Sequence, residues 1–332
     1  LIALVAFAGC SDDDDDPVTP PSNKFAEVAA AVEDVLNDSA VTTGIVSADA
    51  LFADLTSKAP TMTVVDVRGE ADYDNGHITG AVHSSLGTLV ADLGDGTIPM
   101  DRDYLVFVCY TGQAAGHAKM AAELLGYPSK SLLFGMSSWS PDVTGTKWSE
   151  GEKCKDLLLN PETTNNNGGL VDNDYPSLTD GIDARVAAVL AGGFQGIGYT
   201  SDLDNSDTYF LLNYWGENDY LGSGDYGTTG HIPGAFQFTP YQSLAIDQML
   251  ENIPADMPVI VYCWTGQHSS QITFFLNMLG YDAYSLAFGS NGLFYSQLTA
   301  HKWDASAMGS REMENGFTPS ASFQAIAEEM AE

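Results

Sequence analysis

Apolar positions along the chain follow two rhythms. Residues 63–67 and 104–108 are short, nearly continuous apolar runs, the form taken by strands covered on both faces of a parallel sheet, and residues 130–134 supply a third. After Cys109 the spacing changes. Ala118, Ala121, Ala122 and Leu125 return at helical intervals, and Ile272, Phe275, Leu276 and Leu279 draw the same stripe after Cys263. Gly126 and Gly280 follow the stripes, where a helix C-terminal cap favours glycine. Each cysteine is therefore predicted in a loop joining the C-terminal end of a strand to a helix, where open α/β sheets bind ligands.

The pattern is written twice. His77-Ile78-Thr79-Gly80-Ala81 recurs as His231-Ile232-Pro233-Gly234-Ala235, 154 residues later. The same offset carries Cys109 to Cys263, Thr111-Gly112-Gln113 to Thr265-Gly266-Gln267, Leu125-Gly126-Tyr127 to Leu279-Gly280-Tyr281, and Phe134-Gly135 to Phe288-Gly289. Upstream the register slips: Asp66 stands 11 residues before His77, whereas Asn213 stands 18 before His231. A seven-residue insertion in the second copy is placed in the glycine-rich stretch 221–229, as a surface loop. The expected organisation is a first domain over 25–159, a linker over 160–177 rich in Asn, Gly and Thr, a second domain over 178–310, and a tail over 311–332.

A length of 332 residues suits two such domains. The 45 acidic and 12 basic residues leave a net charge of −33, which repels nucleic acid and works against long-range steering of any anionic substrate. Residues 1–10, LIALVAFAGC, form an apolar run too short to span a bilayer and are read as the remnant of a signal peptide. Phe7-Ala8-Gly9-Cys10 resembles the bacterial lipoprotein processing box, which implies lipidation of Cys10 and an outer-membrane lipoprotein facing the periplasm or the cell surface. Residues 11–24, with Asp12 to Asp16 at their head, read as an acidic, proline-rich tether. Cys109, Cys154 and Cys263 remain as thiols, an odd number that does not suggest a disulfide scaffold.

The run VVDVRGEADYDNGHITGAV, together with the loops Cys109-Tyr110-Thr111-Gly112-Gln113-Ala114-Ala115 and Cys263-Trp264-Thr265-Gly266-Gln267-His268-Ser269, resembles the rhodanese-like family. The resemblance spans about 51–148 and 203–303 and implies two tandem α/β domains, each an open, mostly parallel sheet with helices on both faces. It also implies that Cys109 and Cys263 accept a sulfane sulfur as a persulfide and pass it on, without metal or cofactor. Backbone N–H groups of the curled loop and the helix N-terminus are expected to lower the thiolate pKa, with Gly112 and Gly266 supplying positive φ. Tyr110 and Trp264 are expected to wall the pocket.

Departures from the family narrow the chemistry. Neither loop holds Arg or Lys, which thiosulfate-using relatives place there, and Ala115 and Ser269 stand where phosphatases of this fold carry an arginine. Asp66 and Arg68, with Glu70 nearby, keep the family pattern in the first copy and read as an ion-pair network; the second has Asn213 and Trp215. His268 is the compensating residue, an imidazolium able to stabilise a thiolate. His77 and His231 read as structural parts of a turn, and Cys154 as an inert thiol. Cys109, in the more family-like copy, is expected to be the more active. The leading reading is an exported, lipid-anchored sulfurtransferase or persulfide carrier acting on small sulfur or chalcogen species. Two others stand beside it: thiol-dependent reduction of selenite or tellurite, and a non-catalytic subunit whose acidic surface docks a basic cytochrome or porin complex.

Overall fold

The computed structural model describes residues 23–37, 44–141, 148, 166–199, 208–224, 230–246, 248–311 and 313–314. Cys10, the signal and lipid-anchor segment, Cys154, residues 225–229 of the insertion and residues 315–332 of the tail lie outside the described residues.

In the first domain the strands are β1 (Ile45–Val46), β2 (Met62–Asp66), β3 (His77–Ile78), β4 (Val82–His83), β5 (Tyr104–Val108) and β6 (Ser129–Leu132). Five of them form a sheet in the order β1-β6-β5-β2-β4, with every pairing parallel. The second domain repeats this with β7 (Gly196–Ile197), β8 (Phe210–Asn213), β9 (Phe236–Gln237), β10 (Val259–Tyr262) and β11 (Ala283–Leu286), in the order β7-β11-β10-β8-β9, again all parallel. The chain thus contains two tandem α/β domains of the expected class. The longer helices are α1 (Phe25–Asn37), α2 (Ala48–Leu55), α3 (Gln113–Leu124), α4 (Ile182–Ala191) and α5 (Gln267–Met278).

Strand alternation divides the core. Val65, Leu105 and Phe107 face one way and join a single buried cluster that continues through α1, α3 and α5 into Leu212, Val259 and Val261 of the second sheet. Val64, Val106 and Val108 face the other way, onto α2 and Trp139. The two domains therefore share one hydrophobic core.

This sharing corrects the one-faced helix read from the sequence. On α3, Gln113, His117 and Lys119 are buried together with the alanine stripe, because α3 packs against α5 of the other domain. Gly116 makes the close crossing possible: a Cβ there would collide with Ser270 Oγ and stand 3.2 Å from the Gln267 carbonyl. The sequence run 130–134 also ends early as a strand, at Leu132, because Phe134 turns to φ 59.

Both ends of the described chain lock the halves together. Lys24 N–H, before α1, donates to the Leu178 carbonyl at 2.6 Å. From beyond the second domain, Arg311 pairs with Asp49 and donates to the Ser138 carbonyl at 2.9 Å, and β12 (Met313–Glu314) pairs antiparallel with β3. Asn167, in the 160–177 segment, bonds Gln237 through its side chain in both directions, at 2.7 and 3.0 Å.

Candidate functional site

Each cysteine directly follows a central strand, Cys109 after β5 and Cys263 after β10, and each loop turns into its helix through a glycine at φ 82 or 83. That turn aims backbone N–H groups inward. Gly112 and Ala115 donate to Cys109 Sγ at 3.1 and 3.4 Å, and Ser269 donates to Cys263 Sγ at 3.2 Å. Both thiols are buried.

Burial changes the expected electrostatics. The Cys109 thiol is pushed up from its ordinary pKa by loss of solvent, and the N–H groups of Ala115, Thr111, Gly112 and Ala114 offset this only in part. The lowered thiolate pKa expected from the loop is thus overturned at Cys109. His268 is corrected as well: burial first, then His301 and Lys119, push it down to about 4, so it is a neutral imidazole near pH 7, its Nε2 3.0 Å from Tyr241 Oη. Lys119 is the basic side chain that the sequence did not place near this loop; it is fully buried on α3 of the other domain, and its charge reaches His268.

The two loops differ in what lies behind the sulfur. The Cys263 thiol donates to Ser269 Oγ at 3.6 Å, and Ser269 Oγ is 2.8 Å from Ser285 Oγ on β11. In the first copy the corresponding residues are Ala115 and Ser131, and the buried Ser131 hydroxyl has no hydrogen-bond partner among the described residues. Only the Cys263 side of this pair of sites carries the hydroxyl chain.

Beneath each loop runs a strained turn. Phe134 and Gly135 adopt φ 59 and 55, and Phe288 and Gly289 adopt φ 64 and 52. The following residues hold the loops, with Met136 N–H on the Cys109 carbonyl at 2.8 Å and Ser290 N–H on the Cys263 carbonyl at 2.9 Å. Glycine is required here for space as well as for φ, since a Cβ on Gly135 or Gly289 would collide with the Cys109 or Cys263 carbonyl.

Gln113 and Gln267 turn away from the sulfur sites and reach across to these turns. Gln267 Oε1 accepts from Phe134 N–H at 2.9 Å and its Nε2 donates to the Leu132 carbonyl at 3.1 Å. Reciprocally, Gln113 Oε1 accepts from Phe288 N–H at 2.9 Å, while its Nε2 donates to Thr111 Oγ1 at 2.9 Å. Each loop therefore pins the turn that supports the other. Thr265 Oγ1 stays local and accepts from Gln267 N–H at 3.3 Å.

The flanking walls are also unlike. In the first copy Arg68 forks onto Asp66, with the closest contact 2.7 Å, donates to the Gly76 carbonyl at 2.7 Å, and lies over the Tyr110 ring at 5.2 Å. In the second, Trp215 stands in the place of Arg68 and stacks on Trp264 at 4.1 Å, with His301 stacked on Trp264 at 5.7 Å. A cavity of about 260 Å³ opens against Cys263, Trp264, Thr265, His268 and His301, closed by Ile45 and Leu133 of the first domain. His77 and His231 serve the turns: their Nδ1 atoms lie 2.8 Å from the carbonyls of Tyr73 and Tyr220, on whose rings they stack. Ser285 could have been read from its 154-residue match to Ser131. His301, Ile45 and Leu133 had no sequence signal, because loop folding and domain packing bring them to the cavity.

Residues 48–142 and 205–293 each match the Rhodanese-like domain family, together more than half of the chain. No curated protein matches the chain. Among solved structures, a rhodanese-related protein from Thermoplasma volcanium is 20% identical over 28% of this chain and 87% of its own, with a TM-score of 0.25. A rhodanese-like domain protein from Staphylococcus aureus is 21% identical over 30% of this chain and 92% of its own, with a TM-score of 0.27. A protein from Rhodopseudomonas palustris described as a possible tyrosine phosphatase is 21% identical over 34% of this chain and 91% of its own, with a TM-score of 0.28. With two matched segments at corresponding places in its two sheets, the chain belongs to the rhodanese-like domain family as a tandem member.

Proposed function

We propose that this protein is a sulfurtransferase in which Cys263 takes up a sulfane sulfur as a persulfide and hands it to a nucleophilic acceptor. One observation carries the reading: Cys263 Sγ, held by the Ser269 N–H at 3.2 Å, borders a cavity of about 260 Å³ able to admit a small donor. The inward N–H groups suit an anionic outer sulfur, whose charge they stabilise without a cation. The Ser269 hydroxyl accepts the hydrogen bond of the Cys263 thiol and so orients it, and as Cys263 attacks the donor sulfur the thiol proton is balanced by the one taken up by the leaving group. Cys109 shares the nest, but burial raises its thiol pKa and Ala115 stands in the place of Ser269, so no hydroxyl at that position touches its sulfur; on this reading Cys263, and not Cys109, is the more active of the two.

Among the described residues that line the Cys263 cavity there is no Arg, Lys, Asp or Glu, which supports this reading over reduction of selenite or tellurite, whose wholly ionic bodies would be buried there without a counter-charge. The test is sulfur delivery from a polysulfide donor to a thiol acceptor by the wild type, Cys263→Ser and Cys109→Ser. Loss of turnover in Cys263→Ser with at least half retained in Cys109→Ser is expected; full turnover in Cys263→Ser refutes the proposal. The lipid anchor at Cys10 belongs to the same proposal and is supported by the sequence of residues 7–10. Labelling of cells with an alkyne fatty acid tests it, and an unlabelled protein removes it.

A further inference from the structure

We propose that the Cys263 cavity selects an organic hydropersulfide, R–S–SH, whose uncharged apolar body R rests against Ile45, Leu133 and Trp264. The inference rests on Cys263 being the sulfur carrier and adds the class of donor. Ile45 and Leu133 are aliphatic and come from the first domain, while Trp264 presents an indole held between Trp215 and His301. Among the described residues, the rest of the wall beside Cys263 is Thr265 and the histidines His268 and His301, and burial lowers the pKa of both histidines. Lys119 acts on His268 electrostatically but forms no part of the wall.

Such a cavity rewards apolar area, at about 25 cal/mol per Å² removed from water. It penalises a charged body, since an ion buried without a partner costs several kcal/mol. Size agrees: an engineered cavity of about 150 Å³ holds benzene, so 260 Å³ admits a ring together with the sulfur chain. The net charge of −33 adds long-range repulsion of anionic donors such as thiosulfate.

The transfer balances without an external oxidant. Cys263 Sγ attacks the outer sulfur of R–S–SH, the new Sγ–S bond forms as the donor S–S bond breaks, and the electron pair leaves on the inner sulfur. The proton given up by the Cys263 thiol is matched by the one taken by the leaving sulfur. The sum is Cys–SH + R–S–SH giving Cys–S–SH + R–SH, with the sulfane sulfur passed on at its own oxidation level.

The experiment compares benzyl hydropersulfide with its 4-carboxybenzyl analogue, each released in situ from a protected precursor, so that the reacting sulfur is alike and only the body's charge differs. Loading of the full-length protein is followed by intact mass and assigned by peptide mapping, with thiosulfate as a third donor. Benzyl hydropersulfide is expected to load Cys263 at least about tenfold faster than the carboxylated donor, a difference of about 1.4 kcal/mol. Leu133→Ala is expected to raise KM for the benzyl donor severalfold with little change in kcat, and Leu133→Met to restore it. Equal or faster loading by the carboxylated donor, or by thiosulfate, overturns the inference while leaving Cys263 as carrier. Loading of Cys263 by none of the donors removes the proposed function and this inference with it.

Discussion

Gln113→Ala places a perturbation in one cysteine loop and has its main consequence at the other. Gln113 Oε1 is the acceptor for Phe288 N–H at 2.9 Å, and Phe288 is held at φ 64 directly before Gly289, whose successor Ser290 supports the Cys263 carbonyl. Truncation leaves a backbone N–H unpaired in the interface, which costs about 1–3 kcal/mol. It also releases a strained non-glycine turn of the kind that persists only when its surroundings over-determine it. A loss of about 2 kcal/mol is the working value, and it falls on local opening of the second loop; that corresponds to an increase of about 30-fold in the open population. Hydrogen exchange of the Ser290 amide, which bonds the Cys263 carbonyl at 2.9 Å, reads that population directly. Its exchange should speed up by this order and that of the Met136 amide, on the Cys109 carbonyl, by much less, although Gln113 belongs to the Cys109 loop. Unchanged exchange at Ser290, or a rise confined to Met136, refutes the reciprocal tie.

Ser269→Ala takes the 2.8 Å partner from the Ser285 hydroxyl, leaving it the longer bond to the Gly266 carbonyl at 3.4 Å, and should lower stability by about 1 kcal/mol in urea denaturation. Because removing both partners is nearly neutral, Ser269→Ala/Ser285→Ala should be the more stable of the two variants; the opposite order would count against the hydroxyl pair. Gly289→Ala puts a Cβ onto the Cys263 carbonyl at φ 52 and should cost about 2 kcal/mol or more, with loss of sulfur loading; a fully stable, active variant contradicts the supporting turn.

His117 supplies a pH test. It is fully buried, edge-on to Phe194 and Phe274, and burial holds it at about 3. The folded state therefore stays unprotonated while the unfolded state takes up a proton below about pH 6.5, so stability falls as pH drops from there toward the folded value, by on the order of 3 kcal/mol by pH 4. His117→Phe should flatten that decline in urea midpoints measured from pH 7 to pH 4, leaving the contribution of His268, which has the same sign. An unaltered slope would show that His117 is not the group involved.

The fold was legible because its determinants are local and repeated. Continuous apolar runs mark the buried strands, Gly112 and Gly266 mark the turns, and the 154-residue offset ties the copies to one plan. What escaped is the consequence of packing one copy on the other. The alanine stripe of α3 predicts a half-exposed helix, but the second copy covers its polar face and buries Gln113, His117 and Lys119. The glutamines sit beside the cysteines in sequence, and only the crossing of α3 and α5 at Gly116 sends their amides to the opposite domain. The same packing closes the Cys263 cavity with Ile45 and Leu133, and at Cys109 burial outweighs the N–H groups that were expected to lower the thiolate pKa. Family likeness in sequence favoured Cys109, with Asp66 and Arg68 in place, yet those two side chains are engaged with each other and with the Gly76 carbonyl.

The most direct test of the central claim is peptide mapping of sulfur on Cys109 and Cys263 after brief exposure of the full-length protein to a sulfane donor, with alkylation to trap persulfides. One added sulfur on Cys263, forming ahead of any on Cys109 and lost on addition of a thiol acceptor, is the predicted result. Sulfur confined to Cys109, or absent from both, would contradict the account.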